Sequence, residues 1–207
     1  MVQMGALGMR SKLIGSIAIG LLLGGLGALA IFNNAGDKAG TTQSGAALIG
    51  GPFQLTDTTG KAVTDEDFRG RYMLVFFGFT NCPDICPAGL QLIGAALDKL
   101  GDKADKVVPI FVSVDPERDT LQKLAIYVKN FDNRVVGLTG TPEQIDAIAK
   151  AYRVFFEKTP NASTPNEYGI NHTSIIYLMG PDGKYVDHFT PMTGIDAMVE
   201  KLDKRLG

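Results

Sequence analysis

The sequence predicts an α/β fold, a central mixed sheet flanked by helices, carried behind one N-terminal transmembrane helix. Three features predict it. Tyr72–Phe79 and Val107–Val114 are unbroken apolar runs of strand length, the signature of strands buried on both faces. Segments between and after them repeat apolar residues at helical spacing, so strands and helices alternate along the chain. Leu13–Phe32 is apolar throughout, interrupted only by glycines and Ser16. About 20 residues at a rise of about 1.5 Å span a hydrocarbon core of about 30 Å.

Residues 1–12 form a short N-terminus carrying Arg10 and Lys12, and Asn33, Asn34 and Asp37 follow the apolar run. By the positive-inside rule the N-terminus stays cytoplasmic and the rest is exported. Ala28-Leu29-Ala30 fits the small-x-small pattern of a cleaved signal, but the run exceeds the h-region length of about 7–15 residues, which favours an anchor over 13–32. Residues 33–50, rich in Gly, Ala, Thr and Asn, read as a flexible linker, and 51–207 as the folded domain.

The domain opens with Phe53 and Leu55, a Thr56–Gly60 turn and Lys61-Ala62-Val63, a short hairpin. After the first buried run, Leu90, Ile93, Ala96, Leu97 and Leu100 keep a helical period. After the second, Asp119-Thr120 starts a helix with Leu121, Leu124, Ala125, Tyr127 and Val128 along its face. Val135–Leu138 is a short apolar stretch. Thr141-Pro142-Glu143-Gln144 predicts a helix start with Thr141 as N-cap and Gln144 in the capping-box position. Lys158–Asn166 is a polar loop. Thr173–Met179 and Tyr185–Phe189 are strands around a Pro181-Asp182-Gly183 turn, and Gly194–Leu206 is an amphipathic helix. This order is that of a thioredoxin-like domain with an inserted helix.

A formal charge of -2 gives no electrostatic reason for a nucleic-acid partner. Two cysteines in 207 residues are no disulfide framework; standing four residues apart, they suggest a redox or metal pair. They lie in Phe77-Gly78-Phe79-Thr80-Asn81-Cys82-Pro83-Asp84-Ile85-Cys86-Pro87, beyond the carboxyl end of a strand, where open α/β sheets collect ligands. With Cys86 opening a helix, both sulfurs approach its N-terminus, which favours thiolate, the form that binds soft metals and attacks disulfides. A C-x2-C spacing belongs to ordinary dithiol redox work; the extra residue here widens the geometry toward a chelate. Of the two histidines, His172 opens the strand His172–Ile176 at the rim that carries the cysteines, whereas His188 reads as a surface residue. Two thiolates and an imidazole suit Cu(I) or Cu(II), and zinc accepts the same ligand types.

The motifs GFTNCPDICP (Gly78–Pro87), SVDPERDT (Ser113–Thr120), VVGLTGTPEQID (Val135–Asp146), AYRVFF (Ala151–Phe156) and NHTSIIYLMGPDGKYVDHF (Asn171–Phe189) together resemble the Sco/SenC family of copper chaperones. The resemblance runs from about Phe53 to the C-terminus. It implies a thioredoxin fold, with Cys82, Cys86 and His172 as copper ligands and Cys82 and Cys86 as a redox-active pair able to form a disulfide. It also implies delivery of Cu(I) or Cu(II), or of reducing equivalents, to the dinuclear copper centre of cytochrome c oxidase subunit II. A thioredoxin-like thiol reductase and another periplasmic copper carrier are the implied partners. The implied location is the inner membrane, single-pass, facing the periplasm or, in a eukaryote, the mitochondrial intermembrane space. One residue departs from the pattern: the family usually carries Asp before the histidine, and this chain has Asn171.

Asp84, between the cysteines, is either a charged contact for a partner or a helix-capping acid. Asp115 is either a residue beside the site or part of a turn. Met73, Met179 and Met198 fall in core elements and Met192 in a loop. The competing functions are a thiol:disulfide oxidoreductase using Cys82 and Cys86 without metal, and, last, a peroxidase, whose Gln/Trp set is missing because the chain has no tryptophan.

Overall fold

The computed structural model describes residues 48–160 and 168–207. The anchor expected over 13–32 and most of the linker lie outside them; among the described residues no helix is long and apolar enough to cross a membrane.

The two apolar runs form adjacent parallel strands at the centre of a seven-stranded mixed sheet. Strand β3 (Tyr72–Gly78) pairs with β4 (Val107–Ser113) from Tyr72↔Val107 to Gly78↔Ser113. Strand β5 (Val136–Thr139) continues the parallel set beside β4. Beyond it, β1 (Gln54–Asp57) runs antiparallel and β2 (Ala62–Thr64) closes that edge. On the other side β8 (Ile176–Met179) pairs antiparallel with β3, and β9 (Tyr185–Phe189) forms the second edge. Among the described residues four α-helices complete the expected order: α1 (Ile85–Leu100), α2 (Leu121–Lys129), α3 (Pro142–Ala151) and α4 (Ile195–Leu206).

Both central strands are buried over nearly their whole length, as an unbroken apolar run requires. Alternation along β3 sends neighbouring aromatics to opposite faces. Phe76 meets Phe111 edge-on, and Phe111 in turn meets Tyr127 of α2. Phe77 turns the other way, against Tyr152 and Tyr177. Gly89 lets α1 settle on the sheet, since a Cβ there would lie 2.5 Å from the Phe76 ring. Met73, Met179 and Met198 are buried in the core, while Met192 is exposed. The helix starts are those the residues dictate. Thr120 accepts from the Lys123 amide, and Thr141 and Gln144 form the reciprocal capping box with Pro142 in the first turn.

One region departs from expectation. Instead of a loop running into a strand that starts at Thr173, the chain builds a separate two-stranded hairpin, β6 (Phe156–Pro160) paired antiparallel with β7 (Tyr168–His172). The strand within the main sheet begins only at Ile176. His172 therefore closes β7 and does not open β8. Polar residues, Pro160 and Gly169 gave this segment no alternating pattern, because only Ile170 of the ten strand residues is buried. Main-chain pairing between the two strands makes the structure, and composition does not reveal it.

Candidate metal centre

Strand β3 ends at Gly78, and the turn that follows, closed by the Cys82 amide donating to the Phe79 carbonyl (3.2 Å), places Cys82 at the rim of the sheet. Four residues later Cys86 is the second residue of α1. Its sulfur lies so close to the strand end that a Cβ on Gly78 would be 2.7 Å from it and 2.7 Å from the Phe111 ring. Gly78 is thus a residue whose missing side chain makes room for a thiol.

Asp119 holds this loop down. Its fully buried carboxylate accepts from the Thr80 amide (3.0 Å), the Thr80 hydroxyl (2.6 Å) and the Ser113 hydroxyl (2.6 Å). The Ser113 oxygen in turn accepts from the Asp115 amide. Asp119 therefore ties the loop two residues before Cys82 to the end of β4. Reading Asp119 as a helix start missed this, because its partners lie 6 and 39 residues away.

His172 arrives from the hairpin. Its Nε2 lies 3.4 Å from the Cys86 sulfur, and its Nδ1 lies 3.1 Å from the Thr173 carbonyl. A carbonyl only accepts, so in the neutral ring Nδ1 carries the proton and Nε2 presents its lone pair to the sulfurs. The edge of one ring of the Phe79–His172 pair meets the face of the other at 5.8 Å between centroids. Cys82, Cys86 and His172 thereby converge, with donor atoms all within 4.8 Å of one another.

The sulfurs share one negative charge. The hydrogen bond with Cys86 is the largest effect holding Cys82 far below the ordinary thiol range, at about 4; burial opposes it, and the amides of Asp84 and Cys86 assist. The same hydrogen bond, with burial, pushes Cys86 strongly up. Cys82 is accordingly the standing thiolate and Cys86 the thiol. A metal ion with bonds of about 2.0–2.3 Å to nitrogen and sulfur needs donors roughly 3.3–4 Å apart. The Cys86–His172 separation already falls in that range. The set is soft, with two sulfurs and one imidazole, and among the described residues no carboxylate joins it.

The other acids take different places. Asp84 is exposed and makes no side-chain cap to α1, although its carbonyl accepts from the Ala88 amide. Asp115 is fully buried and pairs with Arg118 while accepting from the Tyr168 hydroxyl (2.7 Å). His188 is exposed, bonded to the Tyr185 hydroxyl (2.7 Å). Asn171 is exposed on the hairpin, directly opposite Glu157. An aspartate at 171 would set two carboxylates across one antiparallel pair, a destabilising arrangement that the amide avoids.

The SCO1/SenC family model matches residues 41–207. Protein SCO1 homolog, mitochondrial, of Homo sapiens is 45% identical over 147 residues, covering 70% of this chain and 48% of the human protein. The chain spans about half the length of the curated relatives it matches first. Among solved structures, Arabidopsis thaliana ScoI with copper bound superposes with a TM-score of 0.71 at 41% identity, covering 76% of this chain and 98% of that one. Bradyrhizobium japonicum ScoI with copper bound gives a TM-score of 0.70 at 44% identity, covering 75% and 98%.

Proposed function

The chain belongs to the SCO1/SenC family, and on that premise we propose that it is a copper chaperone for cytochrome c oxidase assembly, carrying one copper ion on Cys82, Cys86 and His172. The observation that carries the reading is the convergence of these three donors, brought together from the β3–α1 loop, α1 and the hairpin, within 4.8 Å. Copper-bound relatives of the same fold at 41% and 44% identity support the choice of metal.

Copper is the cargo, and the site's chemistry suits carriage. Cys82 offers a thiolate before the ion arrives; Cys86 gives up its proton only when a cation replaces it, so loading releases one proton. His172, its tautomer fixed by the Thr173 carbonyl, supplies the third donor. Release proceeds by ligand exchange, an incoming partner thiolate displacing the chain's donors through a three-coordinate ion. Cys82 is the sulfur nearer to solvent, so exchange begins there.

The recipient on this reading is the dinuclear copper centre of oxidase subunit II. A thioredoxin-like reductase keeps the pair reduced in an oxidising compartment, and another copper carrier loads it. The 13–32 segment tethers the domain to the inner membrane, facing the periplasm or the intermembrane space. The low-pKa Cys82 beside a buried Cys86 also fits a thiol:disulfide oxidoreductase that reduces the recipient's cysteines, Cys82 attacking and Cys86 resolving.

Metal analysis of the reduced full chain, with Cys82→Ala, Cys86→Ala and His172→Ala beside it, tests the proposal. One copper per chain, lost or sharply weakened in each variant, is the expected result. A parent chain that holds no copper but reduces a model disulfide refutes the chaperone and leaves the oxidoreductase.

A further inference from the structure

His172 stands on an arm. Among the described residues the β6–β7 hairpin forms its own two-stranded sheet and shares no ladder with the seven-stranded sheet, whereas Cys82 lies in the β3–α1 loop and Cys86 in α1. Two hydrogen bonds between Phe155 and Thr173 close its base, the Thr173 amide to the Phe155 carbonyl (2.9 Å) and the Phe155 amide to the Thr173 hydroxyl (3.0 Å). A two-stranded hairpin is marginal by itself, so side chains must decide where this one lies.

Arg118, in the turn after β4, meets the hairpin in several ways. Its guanidinium carbon lies 3.6 Å from the centroid of the Tyr168 ring, and its Nη1 donates to the Tyr168 carbonyl (2.8 Å). Its Nε pairs with the buried Asp115, whose other oxygen accepts from the Tyr168 hydroxyl (2.7 Å). Lys158 of β6 sits 4.6 Å from the same ring centroid and pairs with Glu117 (2.7 Å). Arg118 also lies 5.9 Å from the centroid of Phe79, the ring that packs against His172. The arginine therefore reaches the histidine by two routes, along β7 from Tyr168 and through Phe79, without touching a donor atom itself.

We propose that Arg118 is a positioning residue for His172, holding the hairpin so that Nε2 faces the two sulfurs. The planar guanidinium is what the place requires. It stacks on one ring while two different nitrogens make the Asp115 pair and the Tyr168 carbonyl bond, a combination an ammonium cannot reproduce. The proposal rests on the copper reading for its consequence but not for its geometry.

The test uses the full chain with Arg118→Met, Arg118→Lys, His172→Ala and Arg118→Met combined with His172→Ala, each checked for folding by circular dichroism. In the metal-free chain, diethyl pyrocarbonate modifies the two histidines, and exposed His188 serves as an internal reference. Both Arg118 variants are expected to speed His172 modification several-fold relative to His188. If Arg118→Met does not fold, Arg118→Lys carries the comparison alone and in the His172→Ala background. For copper, Arg118→Met weakens binding about 10-fold, the lower end for partners of metal ligands. It adds nothing in the His172→Ala background, because it acts through the ring that is gone. An unchanged His172 rate in a folded variant overturns the proposal, as does equal weakening with and without His172. A parent chain that binds no copper refutes the copper reading, and the modification rates still decide the role of Arg118.

Discussion

Replacing Asp119 by alanine removes the acceptor of three hydrogen bonds at a fully buried position. A hydrogen bond to a charged group contributes about 1.5–3 kcal/mol, and a buried donor left without a partner costs about 1–3 kcal/mol. The half-buried Thr80 hydroxyl can turn to water, whereas the Ser113 hydroxyl is fully buried. Counting the Thr80 amide and Ser113 hydroxyl fully and the Thr80 hydroxyl little, the loss comes to about 3–5 kcal/mol, the range for breaking a buried charged network. Urea unfolding of the reduced metal-free protein reads this directly. With an m-value of about 2 kcal/mol/M the midpoint falls by roughly 1.5–2.5 M. Ser113→Ala alone loses about 1–2 kcal/mol, and in the Asp119→Ala background it loses less, because only its bond from the Asp115 amide is then left to remove. Copper affinity falls as well, because the loop that carries Cys82 loses its tie to β4. A loss below about 1 kcal/mol, or full additivity with Ser113→Ala, would refute the view that this carboxylate fixes the cysteine loop.

Three further outcomes follow from the site. Iodoacetamide should alkylate Cys82 of the reduced, metal-free chain at a rate that reaches half its plateau near pH 4, with Cys86 nearly inert; two thiols titrating together above pH 8 would contradict the shared charge. Between about 4 and the ordinary value of 9.0 the native chain holds a thiolate where the unfolded chain holds a thiol. Unfolding then binds a proton, so this contribution to stability is fully present above 9.0 and is lost as the pH falls through about 4, which chemical unfolding at several pH values measures. Gly78→Ala pushes a methyl group into the Cys86 sulfur and the Phe111 ring, costing about 1–3 kcal/mol by urea titration and weakening copper binding; wild-type affinity would show that the contact is not tight. Asn171→Asp places a carboxylate opposite Glu157 and lowers stability by about 0.2–1 kcal/mol, a loss that Glu157→Gln reverses and that high salt reduces.

Much of this architecture is written locally. The apolar runs at Tyr72 and Val107 announce a doubly covered sheet because every residue along them must tolerate burial. Thr141 and Gln144 announce α3 because a cap acts within one turn. The cysteine pair is equally legible, since strand end, loop and helix start follow one another in eleven residues of sequence. The sequence places His172 at the cysteine rim but does not reveal what holds it there. Its strand lacks an apolar alternation, and the residues that place it, Arg118 and Asp115, lie 50 and 53 residues from Tyr168. Asp119 reads as a helix start for the same reason: its neighbours in sequence say cap, and its partners in space say anchor. Periodicity reports which face of an element is buried. It does not report which polar side chains meet across the fold.

X-ray absorption at the copper edge of the loaded, reduced full chain tests the central claim most directly. The account predicts two sulfur and one nitrogen neighbours per copper, with the nitrogen absent in His172→Ala and one sulfur absent in Cys86→Ala. A spectrum with sulfur neighbours alone, unchanged by the loss of His172, would contradict it.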